Sequence, residues 1–357
     1  MEWMMRVKVK AMGNFGKLRD VFLALFIVLV ATGTASVLLG GNDPVEEGNG
    51  VMAHGALRVD GSALVDENDE VVSLRGVSSH GIEWFPRYLN GSAMQTLKEW
   101  GANVQRIAMY TDTQTGYIRQ TEENLNYLYM GIESALSADM YVIVDWHILE
   151  DGDPNQYVEE AKSFFDEISA HYGDHPALIY EICNEPNGDT TWDDVCRYAE
   201  QVIPVIRKNA PHAVILVGTP RYCTDFSGPK EHPLTFENIM YTMHRYIDVS
   251  EEAPCNNYLI EDIVSSGLPV FVSEWGTGAD AVQSGRQQNS AEYDYQENAR
   301  PFLDYMREHN ISWVAWTLSN QDESHGILST ECEKLSGWTE NDLTAFGTLI
   351  FSELTRG

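Results

Sequence analysis

The chain has 357 residues, 43% of them hydrophobic, and a formal net charge of −31 at pH 7. Such a chain has enough apolar side chains for one large core or two ordinary ones. Its acidity, and its lack of a Lys/Arg-rich run of the kind that binds nucleic acid, exclude nucleic acid and anionic lipid surfaces as partners, because both would be repelled. We therefore expect an uncharged binding partner.

The N-terminus has the three parts of a secretory signal. Basic residues from Arg6 to Arg19 precede an apolar run at 21–30, and small residues follow at 31–36. We predict that residues 1–39 are a cleaved signal peptide. The alternative is an uncleaved membrane anchor, because the apolar character continues to Leu39 and approaches the length that spans a membrane. In both cases the rest of the chain is predicted to be exported, either secreted or held at the cell surface.

Residues 40–55 are polar and rich in glycine, which predicts a flexible linker. Residues 56–357 are predicted to form one domain, and we expect a monomer. The cysteines are dispersed and lack CxxC spacing, so the sequence predicts neither a zinc site nor a dense disulfide framework. Export would permit one or two disulfides, but the sequence does not determine which residues pair among Cys183, Cys196, Cys223, Cys255 and Cys332.

Strand-like and helix-like segments alternate along the predicted domain. A short hairpin is predicted at 57–66 around Gly61. Eight apolar strand-like runs follow, at 72–80, 102–110, 141–147, 178–185, 214–220, 238–246, 269–275 and 311–319, and helix-like segments between them include 92–100, 124–139, 157–172, 192–209 and 298–309. Eight βα units in about 300 residues predict a single (β/α)8 TIM barrel. A doubly wound open sheet is less favoured, because no GxGxxG turn follows an early strand.

Polar or aromatic residues stand at the C-terminal end of seven of the eight predicted strands. In a barrel of parallel strands these ends converge on one face, which is the face where active sites lie. Packing alone does not explain so many polar strand ends. The residues are His80, Tyr110, His147, Asn184, Glu185, His244, Tyr246, Glu274, Trp275 and Trp316.

Glu185 and Glu274 form the centre of this predicted face. Two carboxyl groups that flank a bond can cleave an acetal, because one protonates the leaving oxygen and the other attacks the anomeric carbon or directs water to it. A retaining mechanism requires a separation of about 5 Å, and an inverting mechanism requires about 8 Å. No His, Cys or Asp stands here at metal-ligand spacing, so neither a metal nor a cofactor is predicted.

Several motifs of this chain occur in the order of a known family. They are LRGVSSHGIEW (74–84), GANVQRIAMY (101–110), VIVDWHIL (142–149), IYEICNEPNG (179–188), YTMHRY (241–246), VFVSEWGTG (271–278) and WTLSNQDESHGIL (316–328). The sequence resembles glycoside hydrolase family 5, the (β/α)8 cellulases, and most closely its bacterial endoglucanase branch, over roughly residues 56 to 330. The NEP motif alone is moderately specific for this family, whereas the motifs taken together are a strong indication of it.

The resemblance implies a role for each site residue. Glu185 would be the general acid/base and Glu274 the nucleophile. Asn184 would bind the sugar 2-hydroxyl, Tyr246 would donate a hydrogen bond to Glu274, and Arg106 would support Glu274 electrostatically. The remaining matches are site histidines, an aromatic floor under the reacting sugar and contacts on the glycone side. Tyr110, at a strand end, joins them as a candidate. These candidates for substrate contact are His147, His244, Trp316, His80, Trp84 and Tyr110.

The sequence departs from the branch at two positions near the site. Arg245 stands where an aromatic residue is common, and Gln321 stands where a lysine is common. Both departures concern how sugars bind beyond the cleavage point, and Gln321 remains a candidate substrate contact.

The function predicted from the sequence is a retaining endo-β-1,4-glucanase that acts on a β-glucan polysaccharide. One alternative is an endo-β-mannanase, a xyloglucanase or a mixed-linkage glucanase on the same barrel, because these enzymes differ in loop shape. Another is a carbohydrate-binding protein without catalysis, which the presence of both Glu185 and Glu274 disfavours.

Overall fold

The computed structural model describes residues 48–248, 256–278 and 294–356. The predicted signal or anchor, residues 1–39, lies outside the described residues, as do Cys255 and the first half of the predicted linker, residues 40–47. The other four cysteines are free thiols. Within the described ranges, no helix is both long and apolar enough to cross a membrane.

The first described residues pack on the barrel, although they belong to the segment predicted as a linker. A short helix, α1 (Val51–His54), forms there. The Asn49 side chain donates to the Gly101 carbonyl at 2.8 Å, and the Tyr141 hydroxyl donates to the Gly55 carbonyl at 2.8 Å. The predicted hairpin follows as β1 (Arg58–Asp60) and β2 (Ala63–Val65), and it turns at Gly61, whose φ of 61° suits glycine.

Eight parallel strands form a closed barrel, which confirms the predicted TIM-barrel fold. The last strand, β10 (Trp313–Leu318), pairs with the first barrel strand, β3 (Arg75–Ser79), and this pairing closes the barrel. The strands are β3 (Arg75–Ser79), β4 (Val104–Tyr110), β5 (Tyr141–His147), β6 (Leu178–Glu181), β7 (Val214–Val217), β8 (Ile239–Asp248), β9 (Val270–Gly278) and β10 (Trp313–Leu318). Every residue of β4, β5 and β9 is buried, as expected for parallel strands that helices cover.

Helices surround the barrel, and polar side chains begin several of them. They are α2 (Gly91–Glu99), α3 (Thr121–Ser137), α4 (Val158–Tyr172), α5 (Trp192–Asn209), α6 (Pro220–Cys223), α7 (Ser227–Glu231), α8 (Tyr258–Ser265), α9 (Tyr295–Glu308) and α10 (Ala345–Thr355). The Asn90 side chain accepts from the Ala93 amide, and Thr191 forms a capping box with Asp194. These contacts satisfy amide groups that the first helical turn leaves without a partner.

Two predicted strands extended too far. The runs at 178–185 and 214–220 leave the ladder at Glu181 and Val217. Ile182 and Cys183 are buried as the prediction required, so burial continues past the end of regular pairing. Pro220 has no N–H to donate to a ladder and begins α6 instead.

Candidate active site

The structure brings Glu185 and Glu274 together at the C-terminal end of the barrel. Glu274 lies in β9, and Glu185 follows the end of β6. Three atoms lie within 4.8 Å of one another: one carboxyl oxygen of each glutamate and a ring nitrogen of His244. This separation agrees with the value of about 5 Å that a retaining glycosidase requires.

A bulge between β8 and β9 sets the direction of the side chains here. Thr242 is the register partner of Phe271, but His244 is the partner of Glu274, so β9 has one extra residue. A bulge changes where neighbouring side chains point. As a result, the consecutive residues Ser273 and Glu274 both contact polar groups inside the barrel.

Both oxygens of the Glu274 carboxylate accept hydrogen bonds. The Tyr246 hydroxyl donates to Oε1 at 2.7 Å, and Arg106 donates to Oε2 at 3.0 Å. Burial, and then the Glu274 and Glu185 carboxylates, raise the pKa of Tyr246 well above its usual value, so its hydroxyl keeps the proton that it donates. The two donors hold both oxygens of the Glu274 carboxylate in place.

Arg106 is fully buried and links several strands through its guanidinium group. It contacts Glu181 Oε2 at 2.6 Å, Asn184 Oδ1 at 2.6 Å and Asp145 Oδ2 at 3.0 Å, in addition to Glu274. Burial opposes this charge, but the carboxylates raise the pKa of Arg106 above its usual value. A buried charge of this kind is stable only when it is paired and hydrogen-bonded.

Glu185 contacts a different cation. His244 Nδ1 lies 2.7 Å from Glu185 Oε1, and His244 Nε2 lies 3.1 Å from Ser273 Oγ, which donates to Glu181 at 2.7 Å. Burial lowers the pKa of His244, but Glu274, Glu181 and Glu185 raise it to about 10. His244 is therefore an imidazolium at neutral pH and donates to Glu185.

His147 is buried as deeply but is neutral. Burial, and then Arg106, lower the pKa of His147 to about 3. Its Nδ1 lies 2.6 Å from Asp145 Oδ2, and its Nε2 lies 3.3 Å from Asn184 Nδ2. Asn184 is thus fixed from both ends, because its Oδ1 accepts from Arg106 while its Nδ2 is shared between His147 and the Ile148 carbonyl.

Aromatic rings line one side of the two glutamates. His147 stacks on Trp316 with ring centroids 5.3 Å apart, and Tyr110 lies 4.1 Å from His147. His80 contacts Trp316 and Trp84. Trp84 is 43% exposed and Trp316 only 7%, so Trp84 presents the largest accessible ring of this group.

Not every predicted residue joins this group. Gln321 is exposed on the loop after β10, and within the described ranges its hydrogen bonds come from its backbone alone. Trp192 and Trp338 are also outside this group, because both are buried and donate to backbone carbonyls.

Two buried carboxyl residues of the site were missed from the sequence. Asp145 and Glu181 lie inside apolar strands and pair with Arg106. Burial opposes ionisation of Glu181, but Arg106 and His244 lower its pKa to about 2. Asp145 could have been found, because it stands two residues before His147 and so shares its side of β5.

A strained turn supports the segment that carries Glu185. Arg221, Tyr222 and Cys223 all have a positive φ, between 56° and 58°. This conformation costs roughly 1–2 kcal/mol per residue. The Tyr222 amide donates to the Pro186 carbonyl at 3.1 Å, and Cys223 Sγ lies 2.9 Å from the Asn184 carbonyl oxygen, so the turn holds the backbone on both sides of Glu185.

Glu185, His244 and Glu274 are also, within the described part of the chain, the one group whose spacing would suit a metal ion. Their ligand atoms are already engaged with one another and with Tyr246, Arg106 and Ser273. A protonated imidazole is not a metal ligand, because a ligand nitrogen must be free of its proton. The arrangement suits proton transfer and nucleophilic attack.

Comparisons with known proteins agree with this geometry. The family model of the cellulases, glycosyl hydrolase family 5, matches residues 65–322. Endoglucanase A of Butyrivibrio fibrisolvens is 44% identical over 309 residues, which cover 85% of this chain and 69% of that protein. An endoglucanase of Clostridium saccharobutylicum is 38% identical over 339 residues, which cover 94% of this chain and 72% of that protein.

Solved structures resemble the barrel as a whole. The catalytic domain of Thermobifida fusca endoglucanase Cel5A, in complex with cellotetraose, aligns with a TM-score of 0.76 at 34% identity, covering 85% of this chain and 98% of that domain. The alkaline cellulase K catalytic domain aligns with a TM-score of 0.75 at 30% identity, covering 87% of this chain and 96% of that domain.

Proposed function

Because the chain belongs to glycosyl hydrolase family 5, the cellulases, we propose that it is an endo-β-1,4-glucanase that cleaves internal bonds of cellulose-type glucans with retention of configuration. The observation that carries this proposal is the pair of carboxyl oxygens of Glu185 and Glu274 within 4.8 Å. At this distance there is no room for the water that an inverting enzyme places between its carboxylates.

Glu274 is the proposed nucleophile. Its carboxylate attacks the anomeric carbon and forms a covalent glycosyl–enzyme, and the bond to the leaving oxygen breaks. Tyr246 and Arg106 aim the two oxygens of Glu274 by hydrogen bonds of 2.7 and 3.0 Å. Because both donors are already in place before substrate binds, little reorganisation is needed at the moment of attack.

Glu185 is the proposed acid and then base. It gives its proton to the leaving oxygen in the first step, and in the second step it takes a proton from the water that releases the sugar. The imidazolium of His244, 2.7 Å from Glu185 Oε1, stabilises the carboxylate that the first step leaves behind. His244 is thus proposed to support Glu185, as Tyr246 and Arg106 support Glu274.

The remaining site residues are proposed to bind the sugar. Asn184, held by Arg106 and His147, faces the sugar 2-hydroxyl, whose contact strengthens in the transition state. The rings around the site offer apolar faces for pyranose rings; they are His80, Trp84, Tyr110, His147 and Trp316. Gln321, exposed on the loop after β10, is proposed as a further substrate contact.

The test is a product profile on soluble cellulose, mixed-linkage glucan, mannan and xyloglucan, with Glu274→Gln as the inactive control. We expect release of reducing ends from soluble cellulose and a first product of β configuration by NMR. A first product of α configuration would rule out retention, and release from mannan or xyloglucan alone would favour the alternative substrates. If no substrate is cleaved, the enzymatic proposal fails.

Export is part of the same proposal, because the substrate is a polymer that cells do not take up whole. The basic, apolar and small-residue order of residues 1–36 supports a secretory signal. N-terminal sequencing of the protein recovered from culture medium tests it, and recovery only in the membrane fraction would favour the anchor.

A further inference from the structure

A cavity of about 160 Å³ lies at the end of the barrel opposite the two glutamates. Arg75 is the first residue of β3 and Trp313 is the first residue of β10, so the cavity lies beside the seam where the barrel closes. Its polar lining consists of Ser73, Arg75, Arg307, Asn310 and Glu353.

Positive charge is concentrated around this cavity. Glu353 is buried, and it accepts from Arg300 at 2.8 Å, from Arg307 at 2.6 Å and from Arg356 at 2.7 Å. Asp304 also accepts from Arg307, at 2.9 Å. With Arg75, four guanidinium groups therefore face two carboxylates, in a chain whose net charge is −31.

Arg75 is the unpaired member of this cluster. Its side chain is half-buried, and among the described residues its guanidinium group makes no hydrogen bond or ion pair. Its backbone amide donates to Asn103 Oδ1 at 2.7 Å. Burial, and then the charge of Arg307, lower the pKa of Arg75, while Glu353 opposes that change. A partly desolvated cation beside a second cation is unfavourable unless an anion or water compensates it.

We propose that this cavity binds a small dianionic oxyanion, such as inorganic phosphate or sulfate, between the guanidinium groups of Arg75 and Arg307. All five N–H donors of Arg75 are available, and Arg307 keeps Nε free after its bonds to Asp304 and Glu353. Planar guanidinium groups match the oxygens of such an ion in pairs. At about 30 Å³ for each water molecule, the cavity has room for roughly five, which is enough for an ion of five heavy atoms.

Bound there, the ion stabilises the closure of the barrel. Arg75 belongs to β3, whereas Arg307 belongs to α9 and is fixed by Glu353 of α10. An ion held by both arginines joins the first barrel strand to the two C-terminal helices. Because the unfolded chain lacks this arrangement, binding raises the stability of the folded state. The proposed ion site lies on the face of the barrel opposite the glutamates, so ion binding there does not depend on the hydrolytic activity.

The experiment measures the melting temperature of the full chain in phosphate, sulfate, acetate and chloride at equal ionic strength and millimolar concentration, with calorimetric titration of phosphate into the wild type. We expect phosphate and sulfate to raise the melting temperature by about 5 °C at a hundredfold excess over Kd. Arg75→Gln should lose this increment. Arg197→Gln is the matched control, because Arg197 is an exposed helix arginine that does not line the cavity. This variant should keep the increase in melting temperature.

Arg75→Lys gives a second, milder variant, which keeps the charge but not the planar pair of donors. We expect phosphate to bind it at least tenfold more weakly than the wild type. The proposal is overturned if chloride or acetate gives the wild type the same increment as phosphate, or if Arg75→Gln keeps the phosphate increment. It is also overturned if titration of phosphate into the wild type releases no heat and moves no melting temperature. Hydrolysis of soluble glucan, measured in the same samples, should be unchanged in Arg75→Gln and reports on folding separately.

Discussion

Glu274 and Glu185 lie within 4.8 Å of each other, yet the two sides of the site are built differently. On the Glu274 side, Arg106 and Tyr246 bind one oxygen each, and Arg106 is itself anchored by buried carboxylates. On the Glu185 side, the one charged donor is His244, within the described part of the chain. Both oxygens of Glu274 are therefore held by side-chain donors, whereas among the described residues Glu185 is held at Oε1 alone.

The two buried histidines extend this comparison. His244 faces carboxylates and its pKa is raised to about 10, whereas His147 lies near Arg106 and its pKa is lowered to about 3. Burial opposes the charge on both. The neighbouring charges therefore decide which of the two histidines is ionised.

The largest effect is expected for the nucleophile. Glu274→Ala should reduce kcat by about 10⁴-fold or more, as removal of a nucleophile does in other enzymes. Added azide should partly restore turnover and give a glycosyl azide of inverted configuration, detected by NMR. Glu159→Ala, which removes an exposed helix glutamate, is the control. An azide product of retained configuration would mean that Glu274 is not the nucleophile.

Glu185→Ala should divide substrates by their leaving groups. Its kcat/KM on soluble cellulose should fall by about 10²–10⁴-fold, the usual contribution of a general acid. The leaving group of an aryl glycoside made from an acidic phenol departs as the phenolate without being protonated. The kcat/KM on such a substrate should therefore change far less. Steady-state rates on both substrates check this. Equal losses on both would contradict the assignment of Glu185 as the acid.

Tyr246→Phe tests the support of Glu274 without altering its carboxylate. The variant loses a hydroxyl that donates at 2.7 Å. The rate should fall at least tenfold, about 1.4 kcal/mol, because the carboxylate loses one of the two donors that hold it in place. Tyr157→Phe, which loses a hydroxyl bonded to Asp112, is the matched control. The wild-type rate of hydrolysis in Tyr246→Phe would make Tyr246 a packing residue.

The two histidines should give opposite slopes of stability against pH. The folded pKa of His244 is above its unfolded value near 6.5, so its contribution is complete below pH 6.5 and is lost as the pH rises toward 10. The folded pKa of His147 is below 6.5, so its contribution is complete above pH 6.5 and is lost as the pH falls toward 3. The free energy of unfolding in urea, measured across pH, checks this. His244→Gln should flatten its fall on the alkaline side, and His147→Gln should flatten its fall on the acidic side. Slopes of the same sign would contradict the comparison.

The smallest effect concerns Glu83, a largely buried carboxyl group with no cationic partner among the described residues. Burial raises its pKa to about 7, and Thr113 donates to Oε1 while Oε2 has no partner. The folded state therefore binds more protons between pH 4.5 and 7, and this contribution is lost as the pH rises through that range. Glu83→Gln, which mimics the protonated acid, should remove this part of the pH dependence of unfolding. An unchanged pH dependence would show that Glu83 is ionised in the folded protein.

The contrast between Glu83 and Glu181 shows why these values depend on tertiary structure. Both are shielded from water, but Glu181 has Arg106 and His244 beside it and its pKa is about 2, whereas that of Glu83 is about 7. The two partners of Glu181 come from β4 and β8, which are distant in sequence.

The barrel and the pair of glutamates could be predicted from the sequence alone. Apolar runs separated by helical segments specify parallel strands, because each strand must be buried on both sides, and the polar residues after those runs can only lie at the strand ends. His80, Tyr110, His147, His244, Tyr246 and Trp316 were found in this way, and the structure gathers them around Glu185 and Glu274.

The pairing of those residues follows from the folded chain and could not be predicted from the sequence. The bulge in β9 turns Ser273 and Glu274 toward the same interior, and a shift of register depends on the neighbouring strand. Asp145 and Glu181 acquire their importance from Arg106, which reaches them across strands. The unpaired Arg75 likewise depends on two helices near the end of the chain. Patterns of period two or 3.6 record which side of an element is buried, but charges interact through space, so their partners and protonation states follow from the folded arrangement.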